Sequence, residues 1–376
     1  MTALYIHWPF CKSKCPYCDF NSHVASKVDY DRWKQAYLRE LDYFAPELEG
    51  QEITSVFFGG GTPTLMPPGI AEAILKRINL KPGTEVTMEA NPTSVEADTF
   101  DAFVQAGINR ISLGVQSLRE KDLKFLGREH SASEALNAIA RAQKAVNRVS
   151  LDLIYARPGQ TLEAWEAELK EALALGTTHI SLYQLTIEKG TPFYSAHQKG
   201  EFVMPDDEVS ADLYALTNDM LEQAGLPAYE VSNYAKPGHE CRHNLAYWRY
   251  QEYLGIGPGA HSRISRSGRL SALMMWHRPE QWLETVAGKG AGIQTETALT
   301  PEEIKEELLM MGLRIPEGVS RQRFRALLSQ EPEEVLNKQV LESLISNGLC
   351  ILDAEGIRLT PQGRPLVNAV LKRLLT

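Results

Sequence analysis

The sequence is poor in cysteine, in basic charge and in long apolar runs, and each shortage removes a class of protein. Five cysteines in 376 residues are few, and the odd count argues against a disulfide framework. Lysine and arginine number 39 against 48 acidic residues, for a net charge of -9. A phosphate-tracking protein needs basic surface to displace counterions, so no nucleic-acid partner is expected. No stretch of about 18 apolar residues occurs, so no integral membrane segment is expected. Trp8, Pro9 and Cys11 stand where a signal peptide needs an apolar core, so no cleavable leader is expected. A reducing, cytoplasmic location follows. Internal repeats and low-complexity tracts are also missing.

What is present is an ordinary globular composition, 43% hydrophobic and 23% charged, over a length that suits two or three domains. Short apolar runs at residues 4–8, 53–58, 85–89, 111–115, 150–155 and 180–185 read as strands. Helical patterns lie between them. Trp33, Tyr37, Leu41 and Phe44 recur at helical spacing, as do Ile70, Ile74, Leu75 and Ile78, and Ser131 with Glu134 forms a capping-box pattern before an Ala-rich run. Further helices are expected over about 162–175 and 206–224. Strand–helix alternation predicts an α/β fold with a parallel sheet and right-handed crossovers. Polar residues sit at similar heights on successive strands: Glu89, Gln116, Asp152 and Gln184. That favours a partial (βα)6 barrel, whose functional groups gather at the carboxyl ends of the strands, over an open doubly wound sheet.

The rhythm changes near residue 227. We expect the barrel to occupy residues 1–235 and a connecting region 236–298, with short strands near 229–234 and 253–256. Residues 299–376 are expected to form a smaller, mainly helical, winged-helix-like domain: helices at 301–311, 321–328 and 333–347, a hairpin, and a last helix. Leu309 to Leu313 reads as core.

Three cysteines crowd into Cys11-Lys-Ser-Lys-Cys15-Pro-Tyr-Cys18, directly after the first strand. Three close thiolates can hold three corners of a cubane cluster, leaving one iron open. A structural zinc site completed by His7, His23 or Cys241 is the competing reading. Gly59-Gly60-Gly61-Thr62-Pro63-Thr64 follows the second strand and lets a ligand approach the backbone closely. It could equally be a tight turn. Neither Gly-x4-Gly-Lys-Ser/Thr nor a first-strand Gly-x-Gly-x2-Gly is present, which disfavours phosphate-loop and dinucleotide readings. Asp152, between Leu151 and Leu153, must be paired if buried; an ion pair with Arg128 would satisfy it without any ligand.

The cysteine spacing after a first strand resembles the signature of the radical SAM family. Tyr5-Ile-His-Trp-Pro-Phe-Cys11, the glycine run, Gly114-Val-Gln116 and Leu151-Asp-Leu-Ile-Tyr155 resemble its oxygen-independent coproporphyrinogen oxidase group. The resemblance covers nearly the whole chain and is weakest after residue 300. It implies a [4Fe-4S] cluster on Cys11, Cys15 and Cys18, with S-adenosylmethionine (SAM) chelating the open iron. It also implies SAM contacts from Tyr5, Gly60, Gly61, Thr62, Glu89, Gln116, Arg128 and Asp152.

Two departures from the oxidases matter. They carry a fourth cysteine two residues past the third, where this chain has Phe20. And His243-Asn244-Leu-Ala-Tyr247-Trp248 is similar to the His-Asn-x2-Tyr-Trp motif of the HemW haem-chaperone family. A histidine beside two aromatic rings offers an axial ligand and a flat wall for haem, and Cys241 could compete as the ligand. In a loop, the same residues could simply bond local backbone and fill core. No Cys-x2-Cys-His attachment site exists. The resemblance implies a protein that binds haem and passes it to an acceptor, with a membrane-bound respiratory enzyme as a family-level guess. It implies no oxidase activity; oxidative decarboxylation of coproporphyrinogen is the alternative. A DNA-binding haem sensor is opposed by the acidic balance. Monomer and homodimer are both open.

Overall fold

Alternation of side chains along six strands decides where the polar residues go. The computed structural model describes residues 1–375. In it β1 (Thr2–Trp8), β2 (Ile53–Gly60), β3 (Glu85–Ala90), β4 (Arg110–Gln116), β5 (Arg148–Tyr155) and β6 (His179–Gln184) lie side by side. Each is parallel to its neighbour. Ile6, Phe58, Met88, Leu113, Leu151 and Leu182 belong to the main hydrophobic core. Successive side chains on a strand point to opposite faces. Tyr5, Ser55, Glu89, Ser112, Asp152 and Ser181 therefore share the other face, the inner wall of a partial barrel. Of the polar residues that interrupt the apolar runs, Glu89, Gln116 and Asp152 line the interior of the barrel. Gln184 does not, because it is in step with Leu182 and faces outward, its Nε2 donating to the Ser210 carbonyl at 2.8 Å.

The outer face is covered by α1 (Tyr30–Tyr43), α2 (Pro68–Lys76), α3 (Phe100–Ala106), α4 (Ala132–Ala145), α5 (Leu162–Ala174) and α6 (Asp207–Gln223). Trp33, Tyr37 and Leu41 of α1 are buried, and the expected capping box on Ser131 and Glu134 is formed.

The strand expected near 229–234 shrinks to β7 (Asn233–Ala235), antiparallel to β6. The Glu230 carboxylate accepts from the Ser232 backbone N–H at 2.8 Å and from Asn233 Nδ2 at 2.6 Å, which curls the preceding residues into a turn. Residues 242–248 form a short helix, α7 (Arg242–Trp248), rather than a loop. Glu85 Oε1 accepts the His243 N–H at 3.2 Å and meets one of the helix's first unpaired donors. β8 (Glu252–Ile256) then pairs in parallel with the free edge of β1. β9 (His261–Arg266), β10 (Arg269–Met275) and β11 (Ile293–Ala298) continue as an antiparallel meander, giving an eleven-stranded sheet.

Glu40 of α1 ties this region to the barrel. It accepts from the Gly257 N–H at 2.8 Å, the Gly292 N–H at 2.7 Å and Trp282 Nε1 at 3.1 Å. Trp282 belongs to α8 (Pro279–Lys289).

The C-terminal unit has its own core around Leu308, Leu309, Leu313, Phe324, Leu344 and Ile357. Helices α9 (Pro301–Gly312), α10 (Arg321–Leu328) and α11 (Lys338–Ser346) precede a hairpin, Cys350–Leu352 with Gly356–Leu359, and a last helix, Val367–Leu374. Arg263 of β9 pairs with Glu307 of α9 at 2.7 Å and joins the unit to the sheet. Among the described residues no helix is long and apolar enough to cross a membrane.

Candidate cofactor site at the barrel mouth

The cysteine loop leaves β1 and is pinned at both ends. Phe10 and Cys11 pair in parallel with His23 and Val24, and the Phe193 N–H donates to the Pro16 carbonyl at 3.0 Å. None of Cys11, Cys15 and Cys18 is in a disulfide, and all three are partly exposed. Each sulfur has a polar neighbour. Thr62 Oγ1 donates to Cys11 at 3.5 Å, Arg128 Nη1 to Cys15 at 3.3 Å, and Ser22 Oγ lies 4.0 Å from Cys18. Burial pushes the Cys11 and Cys18 thiols above the usual range. Among the described residues no three His, Cys, Asp or Glu side chains close on a single ion's position.

Beside the thiols opens a cavity of about 410 Å³. The glycine run forms one wall because nothing larger fits. A Cβ on Gly60, whose φ is 110°, would sit 2.5 Å from the His7 ring, and one on Gly61 would sit 2.6 Å from the Phe10 carbonyl. The Gly61 N–H reaches Trp8 O at 2.7 Å and the Thr62 N–H reaches Phe10 O at 2.8 Å, so the turn is bonded to the start of the cysteine loop.

Two carboxyls face this cavity from the inner wall. Glu89 accepts the Gly60 N–H at 3.2 Å. Burial, and then the neighbouring Asp152 charge, push its pKa up to about 8. Asp152 is also raised by burial, and accepts from Ser112 Oγ at 3.2 Å. The ion pair between Asp152 and Arg128 is not formed. Arg128 instead reaches Asn91 Oδ1, Gly114 O at 2.8 Å and Cys15, while its buried Nε has no partner among the described residues. Gln116 ends β4 with φ 68° and also lines the cavity.

The structure thus brings Cys11, Cys15, Cys18, Gly60, Gly61, Thr62, Glu89, Gln116, Arg128 and Asp152 around one space. Tyr5 is the exception. Its hydroxyl bonds His7 Nδ1 at 3.0 Å, and it lines a second cavity of about 390 Å³ that shares Gly60 and Glu89 with the first. The residues present fit a cluster with a small zwitterionic ligand. Three thiols have separate polar neighbours, and burial raises both carboxyls, so a cationic group placed beside them would favour their ionised forms. Sequence reasoning missed Asn91, which bridges Arg128 and Thr62, and Ser112. The period-2 inner face containing Glu89 and Asp152 was the signal for Ser112.

The His-Asn-x2-Tyr-Trp segment lies elsewhere, on α7 against β2 and β8. His243 is 2% exposed. Ser55 Oγ lies 3.0 Å from its Nδ1, Tyr247 OH lies 3.2 Å from its Nε2, and Phe57 stacks on its ring. Burial lowers its pKa to about 3. Both nitrogens are therefore engaged. Asn244 Nδ2 reaches Tyr229 OH at 3.4 Å and Trp248 lies 5.9 Å from the Arg314 guanidinium. Tyr247 alone of the four reaches the second cavity. Cys241 is fully buried against Glu85, and burial pushes its thiol up to about 12.

Comparison with known proteins agrees with this geometry. The sequence model of the Radical SAM superfamily matches residues 5–172, and that of the HemN C-terminal domain matches residues 299–366. The chain is 37% identical to the heme chaperone HemW of Escherichia coli (strain K12), over 99% of this chain and 98% of that protein. It is also 37% identical to the mitochondrial radical S-adenosyl methionine domain-containing protein 1 of Danio rerio, over 99% of this chain and 86% of that protein. The solved coproporphyrinogen III oxidase HemN of Escherichia coli superposes with a TM-score of 0.83 at 22% identity, covering 99% of this chain and 89% of that one, a likeness of fold. The chain belongs to the radical SAM superfamily, among its HemW- and HemN-like proteins.

Proposed function

We propose that this protein binds haem and passes it to an acceptor protein, on a scaffold that keeps the superfamily's [4Fe-4S] cluster and SAM. The observation that carries this reading is the relationship at full length to proteins named heme chaperones. A second supports it. Phe20 stands where the oxidases carry a further cysteine, and its ring is 62% exposed at the mouth. Cys11, Cys15 and Cys18 would hold the cluster, which when bound supplies a one-electron donor. The glycine run, Thr62, Glu89, Gln116, Arg128 and Asp152 would hold SAM, with Tyr5 bracing the wall behind them. Three thiols without a disulfide suit a reducing compartment such as the cytoplasm.

Oxidative decarboxylation of coproporphyrinogen is the second reading, favoured by the fold shared with HemN. The test is direct. Anaerobically reconstituted protein is titrated with haem, then mixed with an apo-haemoprotein, and separately incubated with coproporphyrinogen, SAM and reductant. Saturable haem uptake and transfer, with no protoporphyrinogen formed, is the expected result. Protoporphyrinogen formation without haem uptake overturns it.

A further inference from the structure

The second cavity collects histidines, and only some of them are free to bond a metal. Tyr5, His7, Phe20, Tyr247, Tyr253, His261 and His277 lie around it, next to the cysteine loop. His7 is spoken for on both nitrogens, by Tyr5 OH at 3.0 Å and by the Asn21 carbonyl at 2.8 Å. His261, the first residue of β9, and His277, which follows β10, are exposed. Among the described residues neither imidazole has a hydrogen-bond partner.

Their position is fixed by backbone. Asn21, within the cysteine loop, donates to the Pro258 carbonyl at 2.9 Å and to the His277 carbonyl at 3.0 Å. His261 is paired to Met274 across the ladder. The two rings stand 6.4 Å apart between centroids. Two imidazoles that bond one iron from opposite faces, at about 2 Å per iron–nitrogen bond, keep their ring centres roughly 6 Å apart. Tyr247 and Tyr253 pack edge to face at 4.4 Å, a rigid aromatic wall of the kind that covers a flat apolar ligand.

We propose that the iron of haem is held at this second cavity by His261 and His277, with the macrocycle against Tyr247 and Tyr253 and its inner edge toward Gly60. This rests on the haem-binding reading above. It assigns ligation to residues outside the His-Asn-x2-Tyr-Trp segment and leaves that segment one wall, Tyr247. The cargo would then lie directly beside the cluster and SAM cavity, with which this one shares Gly60 and Glu89.

The experiment is a ferric haem titration of the full chain, with the cluster reconstituted, followed by the Soret band and by electron paramagnetic resonance. Wild type, His261→Ala, His277→Ala and the double variant are compared, and cluster absorbance reports the fold. A low-spin, two-imidazole spectrum is expected for wild type. Each single variant should become high-spin, and the double variant should bind about tenfold or more weakly with its cluster intact. A double variant with the wild-type spectrum and affinity overturns this site while leaving haem binding standing. A wild type with no saturable haem uptake overturns the parent reading, and this site with it.

Discussion

Arg128 donates to the sulfur of Cys15 at 3.3 Å while its other terminal nitrogen holds the Gly114 carbonyl at 2.8 Å. One half-buried guanidinium thus links the cysteine loop to the end of β4. A positive charge bonded to a cluster sulfur favours the reduced cluster. Arg128→Met is expected to make the cluster's reduction potential more negative by on the order of 60 mV, the one-electron equivalent of a tenfold change. Potentiometric titration of the reconstituted protein checks this, and an unchanged potential would remove Arg128 from the cluster's surroundings.

Glu89 sets a pH dependence at the same mouth. Its pKa is raised to about 8 by burial and by Asp152, with Gly60 and Arg110 acting the other way. From about pH 4.5 to 8 the unfolded chain releases a proton that the folded protein keeps. This contribution to stability is therefore full below pH 4.5 and lost as pH rises through 8. Glu89→Gln should flatten that loss, melting higher than wild type at pH 8.5, and should weaken SAM binding measured by calorimetry. Equal melting curves at pH 8.5 would contradict the placement.

His243 gives the opposite slope. Its pKa is lowered to about 3 by burial and by Arg110, and burial lowers those of His7 and His130 to about 4. The unfolded chain binds protons below about pH 6.5 that these folded imidazoles refuse. Stability from them is full above pH 6.5 and lost as pH falls toward 3. In His243→Gln the urea-derived slope between about pH 6 and 4 should shrink by about 1.4 kcal/mol per pH unit. Identical slopes would mean that His243 is accessible to protons.

Much of this was legible because strands and helices write their periods into sequence. All six barrel strands fall on the expected runs, and the capping box at Ser131 was readable from two residues. The site was legible where residue type and spacing suffice: three cysteines in eight positions, three glycines after a buried strand. β11 was not. Its Gln294, Thr295, Glu296 and Thr297 are all exposed, so no apolar alternation marks it, and only pairing with β10 makes it a strand. α7 was hidden for a different reason. Its capping acceptor, Glu85, lies far back in the chain on β3, and no local pattern announces a cap supplied from a distance. The pairing of His261 with His277 likewise depends on a hairpin register that composition does not carry.

Glu40 tests whether residues 236–298 are built into the barrel. Its carboxylate is the acceptor for two backbone N–H groups and one indole, from the turn after β8, the start of β11 and α8. Glu40→Ala strands these donors in a buried place, at a cost of about 3 kcal/mol or more. Chemical denaturation should show that loss in a single transition. A loss under about 1 kcal/mol would mean that water or another group takes over the role.

In the proposed reading, Cys11, Cys15 and Cys18 hold a four-iron cluster whose remaining iron accepts SAM. Electron paramagnetic resonance of the reduced, anaerobically reconstituted protein, recorded with and without SAM, tests it most directly. A cubane signal that changes on adding SAM, and that is lost when any one of the three cysteines becomes alanine, is predicted. Protein that retains only zinc, or a cluster signal indifferent to SAM, would contradict it.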